Sequence, residues 1–242
     1  MAEVIQQENI RRRLFKLAAP IFIETLLIMM LGAVDVIMLS RHSDNSVAAV
    51  GVVNQIIVLT FLIFEVINLG TSVLCSQYLG AKMHKNVVQV VGVSLLMNLV
   101  VGVSVSLFLF GMNETILQWM GLTPELMKDG TDYMRIVGAF AFFQAISLTL
   151  SASLRSANKA IYPMMVTVVV NVLNIIGNYT LIFGEFGFPE MGVEGAAIST
   201  AFSRGVSMVI LFVISLRKHM PRLKLSYFRP FPFVELKNLL KI

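Results

Sequence analysis

One cysteine, Cys75, is present in the 242 residues, which excludes an internal disulfide and any metal site built from paired cysteines. Charge is also scarce. Only 14% of residues are Asp, Glu, Lys or Arg, whereas 57% are hydrophobic and the mean hydropathy is +0.81, well beyond the roughly 45–50% apolar content of a water-soluble domain. There is no Gly-rich phosphate loop of the P-loop or dinucleotide type, no HExxH, and no nucleophile with a helper base, so the chain carries no enzyme signature. Without a P-loop it is not an ATP-driven pump, and any transport must run on an ion gradient.

What the chain has instead is six apolar runs, each long enough to cross a bilayer: about Leu17–Leu39, Ala49–Cys75, Val87–Phe110, Tyr133–Leu154, Ile161–Phe183 and Gly195–Leu216. Barrel strands would alternate over about ten residues, and these do not. The expected fold is therefore all-α, a polytopic six-helix membrane bundle. The first run is too long for a signal peptide and no small-residue cleavage pattern follows it. Ser40–Ser46 and Gly184–Gly192 read as turns, and Pro20 and Pro163 as first-turn prolines, with a kink in the first helix as the alternative for Pro20.

Basic residues are distributed unevenly between the two sets of connecting segments. With the N-terminus inside, the inner segments carry fifteen Lys and Arg and the outer side three, namely Arg41, Lys128 and Arg135 near the membrane edge. This predicts a multi-pass protein of the cell (inner) membrane with both termini cytoplasmic. The same asymmetry accounts for the pI of about 9.5 without nucleic acid as a partner; the bilayer is the expected partner.

Polar groups inside the runs indicate the chemistry. Asp35 stands in an otherwise apolar span, where a charge costs roughly 2.5–3.5 kcal/mol on insertion scales and so marks a functional position. In the fifth span Thr167, Asn171, Asn174 and Asn178 fall within an arc of roughly 60°. Asn54, Glu65, Asn68 and Ser72 do so in the second span, and Glu24 and Asp35 differ by only about 20° in the first. Three helices are thus expected to present polar faces to a common interior. By helical rise Asp35 lies about 6 Å inside the outer end of its span, Asn174 and Asn178 roughly 8–14 Å below theirs, and Thr200 similarly deep. These four can meet in the outer half, where their oxygens suit a small cation or the carboxylate alone takes a proton. The alternative is that the asparagines only bond neighbouring helices.

Glu24 and Glu65 lie deeper, about 10–15 Å from the cytoplasmic face, where they are expected to form a second polar cluster that either shares a proton or attracts a cationic substrate, and with Asn68 and Asn171 to serve substrate or gate; plain helix contacts are the competing reading. Arg135 is expected to snorkel, and Arg204 to pair with a carboxylate or do the same. Fifteen Met and seventeen Phe either line an adaptable pocket or face lipid.

Several motifs, in order across nearly the whole chain, resemble the multidrug and toxic compound extrusion (MATE) transporters. They are Leu17-Ala18-Ala19-Pro20-Ile21 leading to Val34-Asp35, Gln77-Tyr78-Leu79-Gly80-Ala81, Leu154-Arg155-Ser156-Ala157-Asn158-Lys159, Asn174 through Asn178-Tyr179, and Gly192-Val193-Glu194-Gly195-Ala196-Ala197. The resemblance implies one six-helix lobe of a twelve-helix transporter, an antiporter that exports cationic or amphipathic compounds in exchange for Na+ or H+. It implies a coupling site at Asp35, Asn174, Asn178 and Thr200, with Asp35, Asn174 and Asn178 as Na+ ligands, and no cofactor beyond the coupling ion. Some members carry a carboxylate where Asn178 stands, so either ion fits.

Residues 1–220 are then expected to form the N-terminal lobe. Residues 221–242 become the cytoplasmic linker and the start of a second lobe, because Lys237-Asn238-Leu239-Leu240-Lys241-Ile242 echoes Arg12-Arg13-Leu14-Phe15-Lys16-Leu17. The competing functions are a lipid-linked saccharide flippase, whose cavity would need several cations where this chain offers Arg204 and at most Arg135, and a channel or assembly subunit.

Overall fold

Wherever the chain is apolar enough to cross a bilayer it must satisfy its own backbone, and it does so with helices. The structure, a computed structural model, describes residues 2–219 and 232–239. Helices α1 (Ala2–Ser40), α2 (Asp44–Gly80) and α3 (His84–Gly111) are followed by the short α4 (Asn113–Trp119), then α5 (Pro124–Ala139), α6 (Ala141–Ser156), α7 (Ile161–Phe183), α8 (Gly192–Ile214) and, after a π turn at Ser215–His219, α9 (Phe233–Leu239). There is no strand among the described residues.

Five helical stretches are long and apolar enough to span a membrane on their own: Leu14–Ser40, Asp44–Gly80, His84–Gly111, Ile161–Phe183 and Gly192–Arg217. The sixth span is a broken one, α5 and α6 meeting at 46°. Phe140 leaves helical geometry at the break (φ −106°, ψ 16°), and the freed Phe142 N–H donates to Ser106 Oγ of α3 at 3.1 Å. The sequence places this span at Tyr133–Leu154; the observed one starts earlier, at Pro124, and α4 was not anticipated. The span expected at Ile161–Phe183 coincides with α7, whereas α2 runs five residues beyond its expected span at each end and α1 begins at Ala2, well before Leu17, because hydropathy fades at polar residues such as Asp44 and Gln77 while backbone hydrogen bonding continues through them.

The two prolines differ. Pro163 is the third residue of α7, a first-turn position as expected. Pro20 is not: α1 begins at Ala2, so this proline lies in the interior of a 39-residue helix, where it offers no N–H to the Lys16 carbonyl.

Close packing rests on small residues, as helices in lipid require. A Cβ at Gly195 of α8 would lie 2.6 Å from the Leu181 carbonyl of α7, and one at Gly102 of α3 would lie 3.1 Å from the Ala145 Cβ of α6. The α7–α8 hairpin turns at Gly184, whose left-handed φ of +70° only glycine adopts freely, and Met191 N–H returns to the Leu181 carbonyl at 2.9 Å. Helix α1 packs chiefly on α7 and leaves Phe22, Met29 and Met30 exposed, an apolar face suited to lipid or another helix.

Of the expected linker 221–242, residues 221–231 and 240–242 lie outside the described residues. The described remainder, α9, docks on α2 and α3. Its buried Glu235 accepts hydrogen bonds from Tyr78 Oη (2.9 Å) and Asn86 Nδ2 (2.8 Å), and Leu239 joins an apolar cluster with Leu74, Val87 and Val91.

Candidate functional site

Between α1, α2, α6, α7 and α8, with Tyr133 of α5 at its wall, lies a cavity of about 590 Å³, within the range of roughly 300–1,000 Å³ that small-molecule sites occupy. It is polar for a membrane interior. Glu24, Asp35, Glu65, Arg155 and Arg204 all line it.

At one end the cavity is lined by Asp35, Asn174 and Thr200, three of the four residues that helical rise had gathered, and Asn178 bonds to two of them from outside the lining. Asn178 Nδ2 donates to Asp35 Oδ1 at 2.6 Å and to Asn174 Oδ1 at 3.1 Å. Asn174 Nδ2 in turn approaches Thr200 Oγ1 at 3.4 Å, and Ser199 Oγ fixes α8 to the Asn174 backbone carbonyl at 3.0 Å. One chain of amides therefore ties the C-terminal part of α1 to α7 and α8. Asn174 and Asn178 are fully buried, and Asn178 Oδ1 has no hydrogen-bond partner. A buried carbonyl oxygen left unpaired is costly; here Asn178 turns its Nδ2, not its Oδ1, toward Asp35 and Asn174, while a carboxylate, two amide oxygens and a hydroxyl are the kind of hard oxygens that suit a small cation. A proton on Asp35 would satisfy the same region by a different route. No cluster of three or more His, Cys, Asp or Glu occurs among the described residues, so a transition-metal centre is not what these residues form.

Toward the other end, Glu24 is only 5% exposed and accepts a charge-assisted bond from Arg155 Nη2 at 2.8 Å. Glu24 and Glu65 both line the cavity but share no hydrogen bond. Asn171 also lines it, and its Nδ2 is tied to the Leu27 carbonyl of α1 at 2.7 Å. Glu65 makes no hydrogen bond or ion pair among the described residues. Asn68 is elsewhere. It turns into the contact of α2 with α3 and α6, where Asn98 Nδ2 donates to Asn68 Oδ1 (3.0 Å) and Thr149 Oγ1 joins both. Asn68 and Glu65 are about 60° apart on α2, enough to carry one into a helix contact and the other into the cavity.

Three cavity residues were missed or misassigned in the sequence. Arg155 was read as a loop cation for topology, although it closes α6 and reaches Glu24. Tyr133, taken as the first residue of a span, is buried in the cavity wall. Arg204 lines the cavity and does not snorkel: its guanidinium lies 5.0 Å from the centroid of the Phe61 ring and, though it makes no direct ion pair among the described residues, it lies within electrostatic reach of Asp35. Arg135 stays outside the cavity, exposed and stacked on Phe110 at 5.2 Å.

Comparison with known proteins agrees with this architecture. The sequence model of the MatE family matches residues 20–180. The uncharacterized transporter YisQ of Bacillus subtilis is 41% identical over 95% of this chain and 50% of its own length. The probable multidrug resistance protein NorM of Thermotoga maritima is 31% identical over 87% of this chain and 45% of its own. In fold, the chain is similar to an outward-facing MATE transporter of the MOP superfamily, with a TM-score of 0.85 at 24% identity, covering 95% of this chain and 50% of the other. It is similar also to the Vibrio cholerae MATE transporter VcmN in its bent form, with a TM-score of 0.85 at 20% identity over 96% and 52%. The chain spans about half the length of the curated relatives it matches. It belongs to the MATE family of membrane transporters, not to a family of enzymes, and has the architecture of their N-terminal lobe.

Proposed function

We propose that this chain is the ion-coupling lobe of an antiporter that exports cationic or amphipathic small molecules in exchange for Na+ or H+. The observation that carries the proposal is the linked set Asp35–Asn178–Asn174–Thr200 at the end of a polar cavity. In this reading Asp35, Asn174 and Asn178 ligate Na+, with Thr200 beside them, or Asp35 takes the proton. Glu65 lines the cavity without a partner among the described residues and attracts a cationic headgroup, while Asn171 and the Glu24–Arg155 pair brace α1 against α7 and α6 and act as a gate. Asn68 has a structural duty.

Because alternating access needs two bodies rocking about a central site, the partner of residues 1–220 is a second six-helix lobe, with 221–242 leading toward it. The protein resides in the cell (inner) membrane with both ends of this lobe cytoplasmic, as its basic segments favour. A flippase for lipid-linked saccharides fits less well: of the two cavity guanidiniums one is engaged by Glu24, and three carboxylates outnumber them.

The test is thermal unfolding of the complete purified protein across a sodium series at fixed ionic strength and across pH. A ligand at 100 times its Kd stabilises by about 2.7 kcal/mol. A sodium response weakened by Asn174→Ala and Asn178→Ala identifies Na+; a response to pH alone, lost in Asp35→Asn, identifies H+. If neither sodium nor pH produced a response that Asp35→Asn removed, the coupling role would be rejected.

A further inference from the structure

The motif at residues 77–81, where α2 ends, takes no part in lining the cavity. It turns the chain sharply into α3, with Lys82 in the left-handed region at a φ of +60° and Met83 N–H donating to the Tyr78 carbonyl at 2.8 Å. Further along the pair, Thr71 Oγ1 donates to Ser94 Oγ at 2.7 Å. This end of α2 and α3 is therefore one stiff body.

Helix α9 is fastened to that body along its length. Glu235, 3% exposed, accepts from Tyr78 Oη of α2 and from Asn86 Nδ2 of α3, and no cation pairs with it among the described residues. Tyr78 Oη is also approached by Asn238 Nδ2 at 3.5 Å. One turn beyond Glu235, Leu239 fills the space left by Gly70, where a Cβ would lie 3.2 Å from Leu239 Cδ2. A buried carboxylate is costly away from its donors, so Tyr78 and Asn86 specify where α9 sits and in which register.

The position of this dock on α2 limits what it can do. Gly70 and Leu74 follow Phe61 and Glu65 by nine residues each, a rotation of about 180° on a helix. Phe61 and Glu65 line the cavity, so α9 packs on the opposite face of α2. The cavity can change shape without parting α9 from its donors.

We propose that the α2–α3 face around Tyr78, Asn86 and Gly70 is a permanent clasp for α9, which holds residues 233–239 to the first lobe throughout the transport cycle and is the pivot against which a second lobe rocks. The proposal rests on the two-lobe antiporter reading above and locates the joint which that reading requires. Bending of the chain between the lobes then falls outside α9.

The experiment uses the complete protein in nanodiscs, with spin labels on Lys85→Cys and Lys237→Cys, both exposed positions; Cys75 is fully buried and stays unlabelled. A second label pair placed across the two lobes reports their rocking. As sodium, pH and added ethidium are varied, the inter-lobe distance should change while the distance between positions 85 and 237 stays a single narrow peak. Tyr78→Phe or Asn86→Leu should raise the undocked fraction about tenfold or more, the worth of one hydrogen bond to a charged group. The double variant should lose most ethidium efflux in cells and keep the sodium or pH response of its melting midpoint, because the clasp does not touch Asp35, Asn174, Asn178 or Thr200.

A distance between positions 85 and 237 that changes with rocking overturns the proposal and makes α9 a moving gate, and this measurement needs no clasp variant to fold. Undiminished efflux from a variant whose α9 is undocked also overturns it. So does loss of the sodium or pH response together with efflux in the double variant, which would make the clasp a plain folding contact. If the inter-lobe distance never changes while the clasp distance stays fixed, the two-lobe reading itself fails and the pivot fails with it.

Discussion

Replacing either member of the Glu24–Arg155 pair should have unequal consequences, because the two side chains are unequally buried. The side chain of Glu24 is 7% exposed and that of Arg155 32%, with Oε1 and Nη2 2.8 Å apart. Arg155→Met removes the charged partner of a buried carboxylate whose other oxygen, Oε2, has no hydrogen bond among the described residues. Breaking a buried pair from one side costs roughly 3–5 kcal/mol; since Glu24 borders a polar cavity, the lower limit of about 3 kcal/mol is expected. Glu24→Gln keeps an amide oxygen in place to accept from Nη2 and leaves a guanidinium that is one-third exposed, so about 1 kcal/mol is expected, the value of one modest hydrogen bond. The double variant has no buried charge and should resemble Glu24→Gln alone, giving a coupling energy of about 3 kcal/mol. Reversible denaturant unfolding in mixed micelles measures all four corners of the cycle. Additive costs, or a Glu24→Gln variant less stable than Arg155→Met, would refute the argument that this bond brings α1 and α6 together by burying a carboxylate.

The remaining predictions concern the site and the packing that forms it. Asp35→Asn in the complete protein should abolish ion-coupled efflux of a fluorescent cation in cells while insertion is unaffected, since an intramembrane charge has been removed and not added; near-normal efflux would take Asp35 out of the mechanism. Asn98→Ala should lower stability by about 0.6–1.7 kcal/mol, as interhelical hydrogen bonds in membranes do, without altering the sodium or pH response of the melting midpoint, because Asn68, Asn98 and Thr149 lie away from the cavity. Gly195→Ala should behave in the opposite way: its Cβ would push against the Leu181 backbone and separate α7 from α8, so the ion response carried by Asn174 and Thr200 should weaken together with stability. An unchanged ion affinity in that variant would show that the two helices need not be this close.

Legibility divided along physical lines. The apolar runs determined the number of spans, because a bilayer makes each helix satisfy its own backbone locally, and helical periodicity put Asp35, Asn174, Asn178 and Thr200 at one depth, because rise and turn per residue need no neighbour. Tertiary structure decided what periodicity cannot encode, which is the partner each polar face meets. Asn68 shares an arc with Glu65, yet α3 and α6 cover the first and the cavity receives the second. Arg155, a loop cation by position, reaches across to Glu24 on a helix 131 residues away, and Arg204 meets Phe61 only because α8 packs against the rest of the bundle. The break at Phe140 likewise depends on Ser106 of α3 to accept the exposed N–H. Sequence determined the properties that each helix has alone; contacts between helices decided which charges are paired and which remain available to a ligand.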